Sequence, residues 1–284
     1  LRKDLLSKKF SESEINGSGL FIKNKKNEYF GRFSRRITFP IFNFSNQIVG
    51  FGARSIRESK IKYINSPESI VFKKSETLFG LKQNFDQIKK NEELILVEGY
   101  LDVISMYQKG IKNSVATLGT TLSEIQINKM WNFSSKPYVC FDGDLAGRKS
   151  VEAIALKVLK FLVPGKSLKF IFLPNNHDPD SFITQNSVHE FNVIKEDSLD
   201  LSMIIWLSIK NSIRDFTPEN MALIDQKISQ ISQSIQNGTV SREYFKFLKN
   251  QKDKFYWENN KIRSYSTEKN KNSTIKKNLN DMIF

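Results

Sequence analysis

Cysteine is almost absent from this chain: Cys140 is the one example in 284 residues. A lone thiol set in an apolar run excludes an internal disulfide and suits a reducing compartment. Histidine is nearly as scarce, with only His177 and His189. No Cys/His cluster exists, so no zinc site is expected here, and no Ser/His or Cys/His pair stands out as a catalytic nucleophile and base. No apolar stretch approaches the roughly 18–20 residues that span a bilayer. The opening LRKDLLSKKF lacks the apolar core of a signal peptide. The expectation is a soluble, cytoplasmic protein without a membrane partner. Internal repeats are missing too. Acid is also in deficit, with 30 Asp+Glu against 44 Lys+Arg and a net charge of +14. That surplus points to a polyanionic partner, with nucleic acid the first candidate.

What is present falls into distinct regions. Residues 1–90 are basic, with Arg32, Arg35, Arg36, Arg54, Arg57, Lys60, Lys62, Lys73 and Lys74 interleaved with aromatics such as Phe33, Phe39 and Tyr63. RITFPIFN and QIVGFGAR read as two strands joined at Phe44-Ser45-Asn46. Residues 91–185 alternate short apolar strands (ELILVE, SVATLG, PYVCF, SLKFIFLP) with helices, and Thr121 and Glu124 stand at capping-box spacing before the second helix. Such a pattern predicts a parallel sheet covered on both faces, with its ligand at the carboxyl ends of the strands. Residues 186–260 read as helical, with Thr217-Pro218-Glu219 a good helix start. Residues 261–284 read as a polar tail or linker.

The acids that do occur are concentrated at strand ends. One strand ends in Glu98-Gly99, another in Asp142-Gly143-Asp144, and a third is followed by Asp178-Pro179-Asp180. Asp102 lies four residues after Glu98, at the start of the next helix. Parallel strands bring all of these to one edge. Two like charges about 4 Å apart repel by about 4 kcal/mol at an effective dielectric near 20. Proton sharing or a divalent cation relieves that repulsion. Oxygen ligands without His or Cys select Mg²⁺ or Mn²⁺ over zinc. Gly99 and Gly143 read as spacers that leave room beside the backbone.

These residues resemble a TOPRIM domain, the Mg²⁺-binding module shared by bacterial primases, topoisomerases, and some nucleases and repair proteins. The flanks narrow the choice. RITFPIFN…IVGFGAR, KYINSPES, LFGL, LILVEGYLDVISMYQKGI, VATLGTTLSEIQI, CFDGDLAGRKS and FLPNNHDPDSFI resemble the bacterial replicative DNA primase family, in order and spacing, from about residue 15 to 185. DFTPENMALI extends the likeness more weakly into the helical part. The resemblance implies an α/β fold: a Rossmann-like parallel TOPRIM sheet, an N-terminal basic α+β subdomain and a C-terminal helical subdomain. It implies synthesis of RNA primers from ribonucleoside triphosphates on single-stranded DNA, by metal-assisted nucleotidyl transfer, with an RNA–DNA hybrid as product. Glu98, Asp142 and Asp144 are the implied catalytic metal ligands for Mg²⁺ or Mn²⁺, and Asp102, Asp178 and Asp180 complete the cluster. Arg36, Lys62, Asn65 and Lys74 match positions that face template or nucleotide phosphates, Lys62 and Lys74 foremost. Arg54 and Arg148 are added as further cations for nucleic acid or nucleotide. Ser75 stands where the family usually has glycine. The family's zinc-binding and helicase-binding domains have no counterpart, so the chain is expected to be either a core fragment, the favoured reading, or a reduced form of a protein working at the nucleoid's replication fork. A topoisomerase would need a tyrosine nucleophile on a separate domain, whereas Tyr63, Tyr100, Tyr107 and Tyr138 lie within or against this core. A non-catalytic adaptor could dispense with acids, and all six are kept.

Overall fold

A computed structural model of the chain describes residues 1–266 apart from Lys25, Thr120 and Arg214, and for 259–266 it describes the backbone alone. The amino-terminal region begins with helices α1 (Arg2–Ser7) and α2 (Glu12–Gly17), then a hairpin of β1 (Phe21–Lys23) and β2 (Tyr29–Gly31). Ser11 and Glu14 form a capping box at the start of α2. The two strands expected next are β3 (Arg36–Phe42) and β4 (Ile48–Ser55). They pair antiparallel across the turn at 43–47, and β5 (Tyr63–Asn65) adds a third strand beside β4. Helix α3 (Phe85–Asn91) leads into the second region.

There the chain alternates strand and helix: β6 (Ile95–Val97), α4 (Tyr100–Gln108), β7 (Ser114–Ala116), α5 (Glu124–Trp131), β8 (Tyr138–Phe141), α6 (Leu145–Val158), a 3₁₀ turn, β9 (Lys169–Phe172), then α7 (Pro179–Gln185). β6 lies between β7 and β8, β9 lies outside β8, and all four strands run parallel. Their side chains alternate between two cores, as a pleated strand requires. Leu96, Val139 and Phe170 face one core with α6 and the helix at 201–211, while Ile95, Cys140 and Ile171 face the other with α4 and α7. Cys140 is fully buried there.

Two expectations change here. After α8 (Val188–Glu196), the dipeptide β10 (Leu199–Asp200) pairs antiparallel with β9, so the sheet is mixed rather than wholly parallel. Two residues are too short to carry a period-2 signal. The cap of α5 is also displaced: Ser123 accepts from the Gln126 N–H and Gln126 from the Ser123 N–H, in place of Thr121 and Glu124. Gln126 wins because its buried amide also donates to the carbonyls of Lys74 (3.0 Å) and Thr77 (2.8 Å), fixing that loop against the sheet region.

The carboxy-terminal region packs α9 (Leu201–Asn211), α10 (Pro218–Ser234) and α11 (Gly238–Ser266) on the first core. Thr217 caps α10, with Pro218 in its first turn. α11 carries helix five residues past 261, and the rest of the expected tail, 267–284, lies outside the described residues.

Candidate metal and nucleotide site

In chain order the parallel strands are β6, β7, β8, β9, yet across the sheet they run β7-β6-β8-β9. The order therefore reverses between β6 and β8, and open α/β sheets bind ligands at such a switch point. Glu98 follows β6 and Asp142 follows β8, so both acids stand at the mouth of that crevice. A cavity of about 400 Å³ opens there, lined by Glu98, Asp102, Asp142, Asp178 and Asp180 on one side. Arg54, Lys62, Tyr63 and Asn65 of the basic sheet line the other side. Five of the six sequence-predicted acids and part of the basic lobe thus line one cavity.

Hydrogen bonds hold several of these acids by a particular oxygen. Asp144 caps α6 by accepting from the Gly147 N–H at 2.7 Å, and Asp178 caps α7 by accepting from the Ser181 N–H at 2.6 Å. Asp180 accepts from the Ser105 hydroxyl. Asp102 is committed further than the rest. Its two oxygens accept from the Gly99 N–H (2.9 Å) and the Asp180 N–H (3.2 Å), which ties the β6 exit to the α7 entry.

The electrostatics are those of crowded like charges. Burial, reinforced by Asp142, Asp144 and Asp178, pushes the Glu98 carboxyl up to about 7. Burial and then the charges of Asp178 and Asp142 push Asp102 to about 7, against the pull of its N–H donors. Asp142 is raised by burial, Asp178 and Asp144. Among the described residues no three His, Cys, Asp or Glu side chains stand close enough to form a finished ion cage. The donor set nevertheless fits a hard divalent cation: its ligands are all oxygen, and the charged forms of Glu98, Asp102 and Asp142 are disfavoured by burial and by neighbouring negative charge that a cation would cancel.

Several expected residues take other places. Asp144, Arg36, Lys74 and Arg148 do not line the cavity. Arg36 donates to the carbonyls of Lys62 and Ile61 at 3.1 and 2.9 Å and so shapes the β4–β5 hairpin. Arg148 donates to Asn175 at 2.8 Å. Asn65 spends its amide between neighbours, donating to the Leu118 carbonyl at 2.8 Å and accepting from the Tyr100 hydroxyl. Gly143 is no spacer: a Cβ there would lie 2.3 Å from the Pro174 carbonyl oxygen, so only glycine lets the exits of β8 and β9 pack together. At Gly99 a Cβ would meet only Asp102 Oδ2 at 3.4 Å, so the room expected beside Glu98 is present. Tyr100, Thr117 and Gly119 also line the cavity. Thr117 and Gly119 follow β7 in SVATLG, so their place past a strand end was the available signal.

A mixed α/β sheet with carboxylates at its switch point agrees with the Toprim-like class that residues 91–185 resemble in sequence. Comparison with known proteins gives the same result in sequence. Residues 1–85 match the DNA primase catalytic core, N-terminal domain, and residues 95–183 match a Toprim-like domain. A DNA primase of Rickettsia bellii is 37% identical over 254 residues, which is 89% of this chain and 41% of that protein. One from Neisseria meningitidis is 37% identical over 72% of this chain and 35% of its own length. The crystal structure of a DNA primase domain from Pseudomonas aeruginosa superposes with a TM-score of 0.79 at 31% identity, over 86% of this chain and 79% of that one. A DnaG primase catalytic domain bound to ssDNA superposes equally well, at 0.79 and 27% identity, over 87% and 81% of the two chains. The chain belongs to the bacterial DNA primase family. It spans 41–44% of the length of the first Rickettsia relatives it matches. Among the described residues no helix is long and apolar enough to cross a membrane.

Proposed function

We propose that this chain is the polymerising core of a primase, joining ribonucleoside triphosphates into short RNA primers on single-stranded DNA. The observation that carries the reading is the cavity at the switch point, lined by carboxylates crowded by like charge together with Arg54 and Lys62. Glu98, Asp142 and Asp144 would hold Mg²⁺ or Mn²⁺, with Asp178 and Asp180 beside them. A bound divalent ion supplies neutralisation of the triphosphate and a lowered pKa at the primer 3′-hydroxyl.

The chain's own residues do the rest. Lys62 and Arg54 bind phosphate oxygens across the cavity from the acids. Tyr63, which faces both cations, offers a ring on which a base can stack. Asp102 keeps the β6 exit and the α7 entry in fixed relation, so the carboxylates on both keep their spacing. Lys74 sits on a loop fixed by Gln126 and reaches template or product phosphates outside the cavity. Single-stranded DNA as template agrees with the ssDNA-bound relative. An RNA–DNA hybrid is the product, and a replicative helicase would engage through a region other than this core. Binding to DNA would fall steeply with salt, because each neutralised phosphate releases counterions.

The test is incubation of the full chain with single-stranded DNA, labelled ribonucleoside triphosphates and Mg²⁺ or Mn²⁺. Labelled oligoribonucleotides that need both template and metal are expected. DNA binding without any product would overturn the polymerase reading in favour of a binding adaptor.

A further inference from the structure

Asn65 lines the cavity, yet both ends of its amide are occupied by the protein itself. Its partner Tyr100 is 5% exposed and follows Glu98-Gly99 at the start of α4. The ring is held on three sides. Phe39 stacks on it at 5.4 Å, Phe79 meets it edge-on at 4.9 Å, and Gly52 lies so close that a Cβ there would be 2.4 Å from Cζ. Gly52 and Asn65 are cross-strand partners, and the next pair but one is Arg54 with Tyr63. Side chains two residues apart share one face of a sheet, roughly 7 Å apart. The pair gripped by Tyr100 therefore adjoins, on the same face, the pair that presents Arg54 and Tyr63 to the cavity. Through Leu118 the same amide reaches the loop after β7.

We infer that Asn65 and Tyr100 form a positioning strut that sets the distance from Arg54 and Lys62 to the acids, and that Asn65 acts through this strut rather than on the substrate. The inference rests on the polymerase reading for what the spacing is for. Tyr100→Phe keeps the ring and its packing but removes the hydroxyl donor. Asn65→Ala removes both arms of the strut.

The test measures the dissociation constant of a fluorescent ribonucleoside triphosphate in the presence of Mn²⁺ for the full chain, Tyr100→Phe, Asn65→Ala and the double variant. Mn²⁺ affinity by electron paramagnetic resonance and thermal melting are measured alongside. Each single variant is expected to weaken triphosphate binding by about fivefold or more, the worth of one neutral hydrogen bond. The double variant is expected to be no weaker than Asn65→Ala, since partners in one interaction are not additive. Mn²⁺ affinity should stay unchanged, which a general loosening of the fold would not allow. A Tyr100→Phe protein that binds triphosphate like the wild type while Asn65→Ala does not would overturn the strut and make Asn65 a direct phosphate contact. Additive losses would overturn it as well. A wild-type chain that binds Mn²⁺ but no triphosphate would instead defeat the polymerase reading, and the strut's purpose with it.

Discussion

Asp225 in the helical region and Asp142 in the crevice are both carboxylates in a basic protein, and the fold treats them in opposite ways. Asp225 on α10 is clamped by Lys249 and Lys252 of α11 at 2.7 and 2.6 Å. Although burial opposes it, the hydrogen bonds and charges of those two lysines hold its carboxyl below the ordinary value. Asp142, with 44 Lys+Arg in the chain to draw on, has acids for neighbours and a raised pKa. Among the described residues none of the five cavity-lining acids makes an ion pair. Cations are abundant, so their exclusion from this wall is a property of the site rather than of the composition. A charge neutralised internally holds two helices together, and a charge left strained is available to a ligand.

The contrast can be attacked at its strong end first. Asp142→Asn is expected to cut metal-dependent primer synthesis by about 10²–10³-fold, the equivalent of several kcal/mol of lost metal-assisted stabilisation. Its melting temperature in chelator should not fall, because the substitution relieves repulsion. A Gly143→Ala variant is next. Its Cβ would collide with the Pro174 carbonyl, so a loss of about 1–3 kcal/mol in denaturant unfolding is expected. Gly99→Ala, with open space, should unfold nearly like the wild type. Equal costs at the two glycines would break the packing argument.

The pH dependence should differ in sign between the two regions. Glu98 and Asp102, raised to about 7 from 4.5 and 3.8, bind more protons folded than unfolded between those values. In chelator their contribution is full below the unfolded pKa values and is lost as pH rises towards about 7. Asp225 has a lowered folded pKa, so its contribution is present above 3.8 and is lost as pH falls through the folded value. Melting in chelator from pH 4 to 8, with Mn²⁺ added back at the upper end, checks the first slope. A melting temperature rising steadily from pH 5 to 7.5 without metal would contradict it. The smallest effect is Asp225→Ala, at about 1 kcal/mol or less, because the pair is partly solvent-exposed. Triphosphate affinity should not change.

Much of this was legible in the residues because the decisive features are local and repeated. Short apolar runs alternating with helices announce parallel strands with a common edge, and Glu98 and Asp142 end two of them while Asp178 stands in the loop after a third. What stayed hidden depends on long-range closure. β10 is two residues long and exists because Leu199 and Asp200 meet β9. Ser123 displaces Thr121 as the cap because Gln126 is drawn to the loop carrying Lys74, 52 residues away. Arg36 and Asn65 match the family's pattern, yet their polar atoms turn inward to a hairpin and to a tyrosine, and no spacing in sequence reveals which way a side chain is drawn. Gly143 reads as a spacer until the carbonyl of Pro174 is seen against it.

The burial of Cys140 has a practical consequence. It is the one thiol in 284 residues, it is fully enclosed in β8, and Asp142 follows it two positions later. A thiol reagent must wait until that central strand opens, so its rate of reaction is a clock for the lifetime of the acid-bearing edge. With no second cysteine to blur the reading, a ligand that closes the crevice should slow that clock, and no label needs to be engineered into the chain.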